Sequence, residues 1–204
     1  MVSTAYDSAM SKRLRSLNGD GGYGVTLAAL LLLVGLLAAG GEPWRLALQY
    51  QRAAIVAGEW WRLISAHAVH LGARHALLDA AGLVLLWILY ARALELRHWA
   101  AALGGALLAI DAGLWWLSPA VGWYVGLSGL LHGAWAAGAL GSWRTERRHA
   151  QASLALLLAK LVAEQWQGAA VAGSGLPVIV AVHLYGALGG LAGALAASGR
   201  AARL

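Results

Sequence analysis

The sequence predicts an all-α, polytopic membrane protein that crosses the bilayer six times. Three observations lead there. Of the 204 residues, 60% are hydrophobic and 12% charged, whereas a soluble domain usually carries about 25% charged residues. Six largely apolar runs follow one another, and a helix needs about 20 apolar residues to cross the hydrocarbon core. Finally, the Lys and Arg residues sit in small groups between those runs rather than in the single basic stripe of a nucleic-acid binder. The formal net charge of +6 therefore reads as a topology signal, and the expected partner is a lipid bilayer, with no nucleic acid. The chain has no cysteine, which excludes disulfides, thiolate metal sites and a thiol nucleophile.

Taken in order, residues 1–23 form a polar tail with Lys12, Arg13 and Arg15, followed by a first span at 25–39 that only Thr26 and Gly35 interrupt. A basic segment, an apolar stretch and the small residues Ala38-Ala39-Gly40 also describe a cleaved signal peptide, but the spans downstream favour an uncleaved helix. Residues 41–74 mix Glu42, Arg45, Arg52, Glu59 and Arg62 with Trp44, Tyr50, Trp60 and Trp61. Amphipathic aromatics favour the membrane interface, so this stretch is expected to be a long structured loop lying partly among the headgroups. Further spans are expected at 75–91, 99–117, 126–140, 152–166 and 176–197, making 24–199 one transmembrane domain and 200–204 a short tail. Ten of the fifteen basic residues then fall on one side, four fall in the long first loop and Lys160 lies inside a span. The positive-inside rule places both termini in the cytoplasm and the first, third and fifth loops outside.

Ionisable residues within spans are expensive and are functional candidates by default. Here they are His75, Asp79, Asp111, His132, Lys160, Glu164 and His183. His75 and Asp79 open the second span, Ser128 opens the fourth, and His183 is seven residues into the expected sixth span, roughly 10 Å below its outer end. All four are expected in the outer half of the membrane. The fourth span, at about 15 residues, would be about 22 Å long against a hydrocarbon core of about 30 Å, so its start is expected to be sunk below the surface. Irregular backbone at that depth is tolerated only inside protein or beside a water-filled cavity, and hydrolysis inside a membrane needs such water.

Gly126-Leu127-Ser128-Gly129 places a serine at a helix N-terminus, where unpaired backbone N–H groups can stabilise an oxyanion. The flanking glycines permit another backbone to approach. The bland alternative is a packing motif, since Gly129 and Gly133 are spaced for close helix contact. Gly186 and Gly190 carry the same spacing in the sixth span, and packing the two faces together could bring His183 against Ser128. A serine is a poor nucleophile until a base takes its proton, which a neutral histidine within reach can do. His132, one turn after Ser128, can face the same cavity and stack on His183. Lys160 and Glu164, four apart, can neutralise each other; Asp111 has no evident partner.

Several segments resemble the rhomboid family of intramembrane serine proteases, and most closely its rhombosortase branch. They are Glu59-Trp60-Trp61-Arg62, His70-Leu71-Gly72-Ala73-Arg74-His75 with Asp79, Gly126-Leu127-Ser128-Gly129-Leu130-Leu131-His132-Gly133, and His183 with its glycines. The resemblance implies a six-helix rhomboid-type bundle with Ser128 as nucleophile, His183 as base and His75 as an oxyanion-stabilising side chain. It implies no metal or organic cofactor. The implied substrates are membrane-anchored proteins, in the rhombosortase branch clients with a C-terminal Gly-Gly motif, a hydrophobic helix and a basic tail. A bacterial inner membrane with the site opening to the periplasm is the matching location. Two departures stand out: rhomboids usually have asparagine where this chain has Asp79, and many have tyrosine at His132, where histidine looks like the rhombosortase pattern.

Three other classes compete. A metalloprotease is conceivable because His67, His70, His75 and Asp79 cluster, yet no His-Glu-x-x-His is present and the 70–75 spacing suits no single helical face. A non-catalytic rhomboid-like protein would be expected to lack the serine or the histidine. A transporter fits the span count, but no internal inverted repeat is visible.

Overall fold

The computed structural model describes residues 22–167 and 179–201. The expected N-terminal tail, most of the fifth loop and residues 202–204 lie outside the described residues. Helix α1 (Tyr23–Ala39) turns by 105° into the short α2 (Gly41–Leu48). Two-residue strand β1 (Tyr50–Gln51), α3 (Arg52–Val56) and α4 (Arg62–Ser65) complete the first loop. The long helix α5 (Ala73–Tyr90) follows, then α6 (Leu96–Ala112), whose last turns widen into a π-helical segment, Gly113–Leu117. Strand β2 (Trp123–Tyr124) leads into α7 (Ser128–Gly141), and α8 (Arg147–Gln167) and α9 (Ala181–Ala201) end the chain.

The all-α polytopic architecture expected from composition is the observed one. By length and composition three helices can cross a membrane, Ala73–Tyr90, Leu96–Leu117 and Ala181–Ser198, or four if α1 and α2 count as one bent span. Each of the six expected runs is mainly helical among the described residues, but α7 has only 14 residues and α8 is too polar to qualify by itself. Leucines that line the outsides of α1, α5 and α6 are exposed because their solvent is lipid.

Helix α9 is the central element, wedged between α6 and α7 by two glycine faces. A Cβ on Gly186 or Gly190 would run into the backbone of Gly129 or Gly133 on α7. On the other side, Gly189 and Gly193 meet Gly105 and Ala101 of α6 just as closely. Lipid tails are as apolar as leucine, so helices in a bilayer gain by close backbone contact, which small residues allow.

The first loop is folded by buried polar groups reaching backbone carbonyls. Arg62 donates to the carbonyls of Leu46 (2.8 Å) and Gln49 (2.9 Å) while its Nε holds Glu59 at 2.6 Å. Arg52 donates to the carbonyls of Leu114 and Trp115 at the end of the π-helical segment. Strand β1 pairs antiparallel with β2, Tyr50 opposite Tyr124. The loop is thereby bolted to the segment that enters α7, over an apolar cluster of Tyr50, Ile55, Ile110, Leu114, Tyr124 and Val182.

Two expected boundaries move. The fourth helix starts at Ser128, not Gly126, because residues 124–127 are tied elsewhere: Gly126 N–H donates to Ala66 O (3.0 Å) and Tyr124 Oη–H to Gly126 O (2.6 Å). The described part of the last helix starts at Ala181, so His183 lies in its first turn rather than seven residues in.

Candidate active site

Ser128 is the first residue of α7, where backbone N–H groups have no earlier carbonyl to bond within the helix. Gly126 makes the entry possible. Its φ of 126° favours glycine, and a Cβ there would come within 2.9 Å of the His75 ring. Gly129 lets the start of α9 approach, since a Cβ would meet Ile110 at 2.8 Å and the Val182 carbonyl at 3.3 Å.

That approach brings His183 Nε2 to 3.0 Å from Ser128 Oγ. The other ring nitrogen, Nδ1, lies 2.9 Å from Glu164 Oε2 on α8, and Glu164 Oε1 is held by Lys160 Nζ. His183 and Glu164 are both buried. His132 packs beneath them, its ring stacked on His183 with centroids 4.1 Å apart and planes 13° from parallel. His132 Nδ1 is 2.7 Å from the Ser128 carbonyl; a carbonyl only accepts, so Nδ1 carries the hydrogen.

Asp79 and His75 form the opposite wall. Asp79 Oδ2 accepts the Leu127 backbone N–H at 2.9 Å and lies 3.1 Å from His70 Nε2 and 3.5 Å from His75 Nε2. His75 Nδ1 receives the Leu71 N–H at 3.3 Å, which leaves Nε2 as its N–H. Asp111 finds a partner in His67 Nε2 at 3.5 Å, and the His67 ring stands edge-on to Tyr124 at 5.5 Å. Burial pushes the Tyr124 phenol well above its ordinary range, keeping it a neutral donor to Gly126.

A family model described as the Rhomboid domain matches residues 57–200. The chain belongs to the rhomboid family. No curated protein and no solved structure matches it. Rhomboids are in general intramembrane serine proteases acting on membrane-anchored proteins, and this one is a multi-pass membrane protein.

The residues singled out by sequence in this rhomboid, Ser128, His183, His132, His75, Asp79, Gly126 and Gly129, meet around one point at the α7 N-terminus. The histidine cluster of the first loop does not act as one unit: His67 pairs with Asp111, whereas His70 and His75 flank Asp79. The contact missed in sequence is that of Glu164 with His183. Its signal, a carboxylate inside a span, was present, but pairing with Lys160 one turn earlier already explained it, and nothing local fixes which face α8 turns toward α9.

His132, Glu164 and His183 offer ligand atoms within 4.8 Å of one another, yet they make a poor cation site. In near-parallel stacked rings the in-plane lone pairs run side by side instead of converging. Both nitrogens of His183 and both oxygens of Glu164 are already engaged. Of the ring nitrogens and carboxylate oxygens of these three residues, only His132 Nε2 has no hydrogen-bond partner.

Proposed function

We propose that this rhomboid is an active intramembrane serine endopeptidase in which Ser128 is the nucleophile and His183 the general base. The observation that carries this reading is the 3.0 Å contact between His183 Nε2 and Ser128 Oγ, within the reach a base needs. Ser128 Oγ attacks the scissile carbonyl carbon while its proton passes to His183 Nε2. Collapse of the tetrahedral intermediate breaks the C–N bond, and the departing amine takes that proton. Water then releases the acyl group by the same route, with His183 again accepting and returning the proton.

The oxyanion faces the free N–H groups of the first turn of α7 and the Nε2–H of His75. Asp79, fixed as an acceptor on the Leu127 N–H, orients the loop that enters α7 instead of donating to the oxyanion. The transmembrane domain is 24–199, flanked by cytoplasmic tails at 1–23 and 200–204. It crosses a bacterial inner membrane six times, with the site opening to the periplasm; the asymmetry of basic residues supports that orientation. His132 in place of the commoner tyrosine supports the rhombosortase branch, whose clients bear a C-terminal Gly-Gly motif, a hydrophobic helix and a basic tail. No metal or organic cofactor takes part.

Fluorophosphonate labelling in native membranes tests the chemistry. Wild type labels, whereas Ser128→Ala does not, and Ser128→Ala, His183→Ala and the double variant are all inactive to a similar degree because the pair acts as a unit. Turnover by Ser128→Ala at the wild-type rate would overturn the assignment. A client whose Gly-Gly segment is replaced by Leu-Leu tests specificity: undiminished cleavage would point to a generalist rhomboid.

A further inference from the structure

We propose that Glu164 is the positioning carboxylate of a Ser128–His183–Glu164 triad, extending the two-residue chemistry on which this inference rests. Glu164 comes from a third helix, α8, and divides its oxygens between two partners: Oε2 faces His183 Nδ1 at 2.9 Å and Oε1 takes the Lys160 ammonium. It is 3% exposed, so its position is set by these contacts and not by solvent.

The function of the contact follows from the two nitrogens of one ring. A neutral imidazole carries a single hydrogen, and either nitrogen can hold it. If Nε2 held it, His183 would present a donor to the Ser128 hydroxyl and could not accept its proton. A carboxylate on Nδ1 keeps the hydrogen there and turns the Nε2 lone pair to Ser128 Oγ. As the proton arrives, the imidazolium of the buried His183 ring finds a counter-charge already in place. Removing the corresponding carboxylate from serine protease triads lowers kcat by about 10⁴-fold through the wrong tautomer.

Lys160 explains how the carboxylate is tolerated. Its Nζ, on a partly exposed side chain, neutralises Glu164 along the helix at i, i+4, so the buried carboxylate is not left without a counter-charge. The competing view is that Lys160 and Glu164 are only an ion pair stabilising α8. Both views accept the pair, but they part over its removal. A buried ion pair exchanged for apolar residues of similar size is often neutral or stabilising, so a purely structural pair predicts an active Glu164→Leu/Lys160→Met protein.

The experiment measures kcat, KM and the fluorophosphonate labelling rate for wild type, Lys160→Met, Glu164→Leu/Lys160→Met and Glu164→Gln/Lys160→Met. The Leu/Met protein is expected to insert normally and lose about 10²- to 10⁴-fold in kcat, with KM within about threefold, since a positioning group acts on the transition state. Labelling slows in parallel. Gln/Met, whose amide N–H can donate to Nδ1 and so leave the ring hydrogen on Nε2, is expected to stay at least about tenfold below wild type, and Lys160→Met alone falls by less than about tenfold. A Leu/Met protein within tenfold of wild-type kcat, or one whose loss is in KM, overturns the assignment. If the Leu/Met protein does not insert, Gln/Met decides: an unchanged kcat there overturns it as well. Wild type that fails to label Ser128 overturns the protease reading and this assignment with it, whereas labelled wild type beside an undiminished Leu/Met protein overturns this assignment alone.

Discussion

Asp79 places one oxygen, Oδ2, before three nitrogens: the Leu127 backbone N–H, His70 Nε2 and His75 Nε2. An oxygen in that position accepts. The asparagine usual in rhomboids could place its Oδ1 on the Leu127 N–H, but its amide nitrogen would add a donor among donors. Asp79→Asn is therefore expected to keep folding and a measurable part of its turnover. Asp79→Leu strands the buried Leu127 N–H, at about 1–3 kcal/mol, and frees the loop one residue before Ser128. Its turnover is expected to fall about 10²-fold with a lower unfolding temperature, measured by client cleavage and thermal unfolding in detergent. If Asp79→Leu and Asp79→Ala both matched wild type in the two assays, Asp79 would be a packing residue. The aspartate was visible in sequence as a departure from the family pattern. Its partner was not, because a backbone N–H carries no side-chain signature.

At the scale of helices, the register of α7 on α9 is held by glycine. Gly186→Val would drive a branched side chain into the Gly129 backbone. Overpacking of this kind costs about 1–3 kcal/mol, and any outward shift of α9 lengthens the His183–Ser128 contact. The expected result is a lowered unfolding temperature together with a loss of turnover of at least tenfold. Gly104→Ala is the control: a Cβ there meets nothing within 4 Å, and stability should stay within about 1 kcal/mol of wild type or rise slightly. Equal turnover in the two variants would contradict the glycine-register account. The 129/133 and 186/190 spacing made this interface legible, because close helix contact in lipid demands small residues four apart. The second face, Gly189 and Gly193 on Gly105 and Ala101, was less so, since neither Gly105 nor Ala101 belongs to a four-residue glycine repeat. Nor was the seat of Glu164 legible, because the rotation of α8 about its axis is fixed by its neighbours and not by its own residues.

For the whole molecule, the six-crossing topology turns on α7. Fourteen residues rise about 21 Å, less than the hydrocarbon core of about 30 Å. Yet α7 must cross if the basic groups before α1, after α5 and α7, and beyond α9 are to share one side. The segments flanking it answer directly, and the absence of native cysteine means that single cysteines report without background. Ala120 precedes β2 and Arg144 follows α7, and both are exposed. In intact cells a membrane-impermeant maleimide is expected to label Ala120→Cys, on the outer side, while Arg144→Cys reacts only after permeabilisation. Labelling of both from one side would mean that α7 enters and leaves by the same face. The six-span alternation would then fail, and the site at its N-terminus would have to be placed anew in the bilayer. With opposite sides found, the deficit of about 9 Å between helix and hydrocarbon core must be made up at one end of α7. The bolted outer loop, with Asp79 on Leu127 and β1 on β2, makes the Ser128 end the one that can stay submerged without exposing unpaired backbone to lipid.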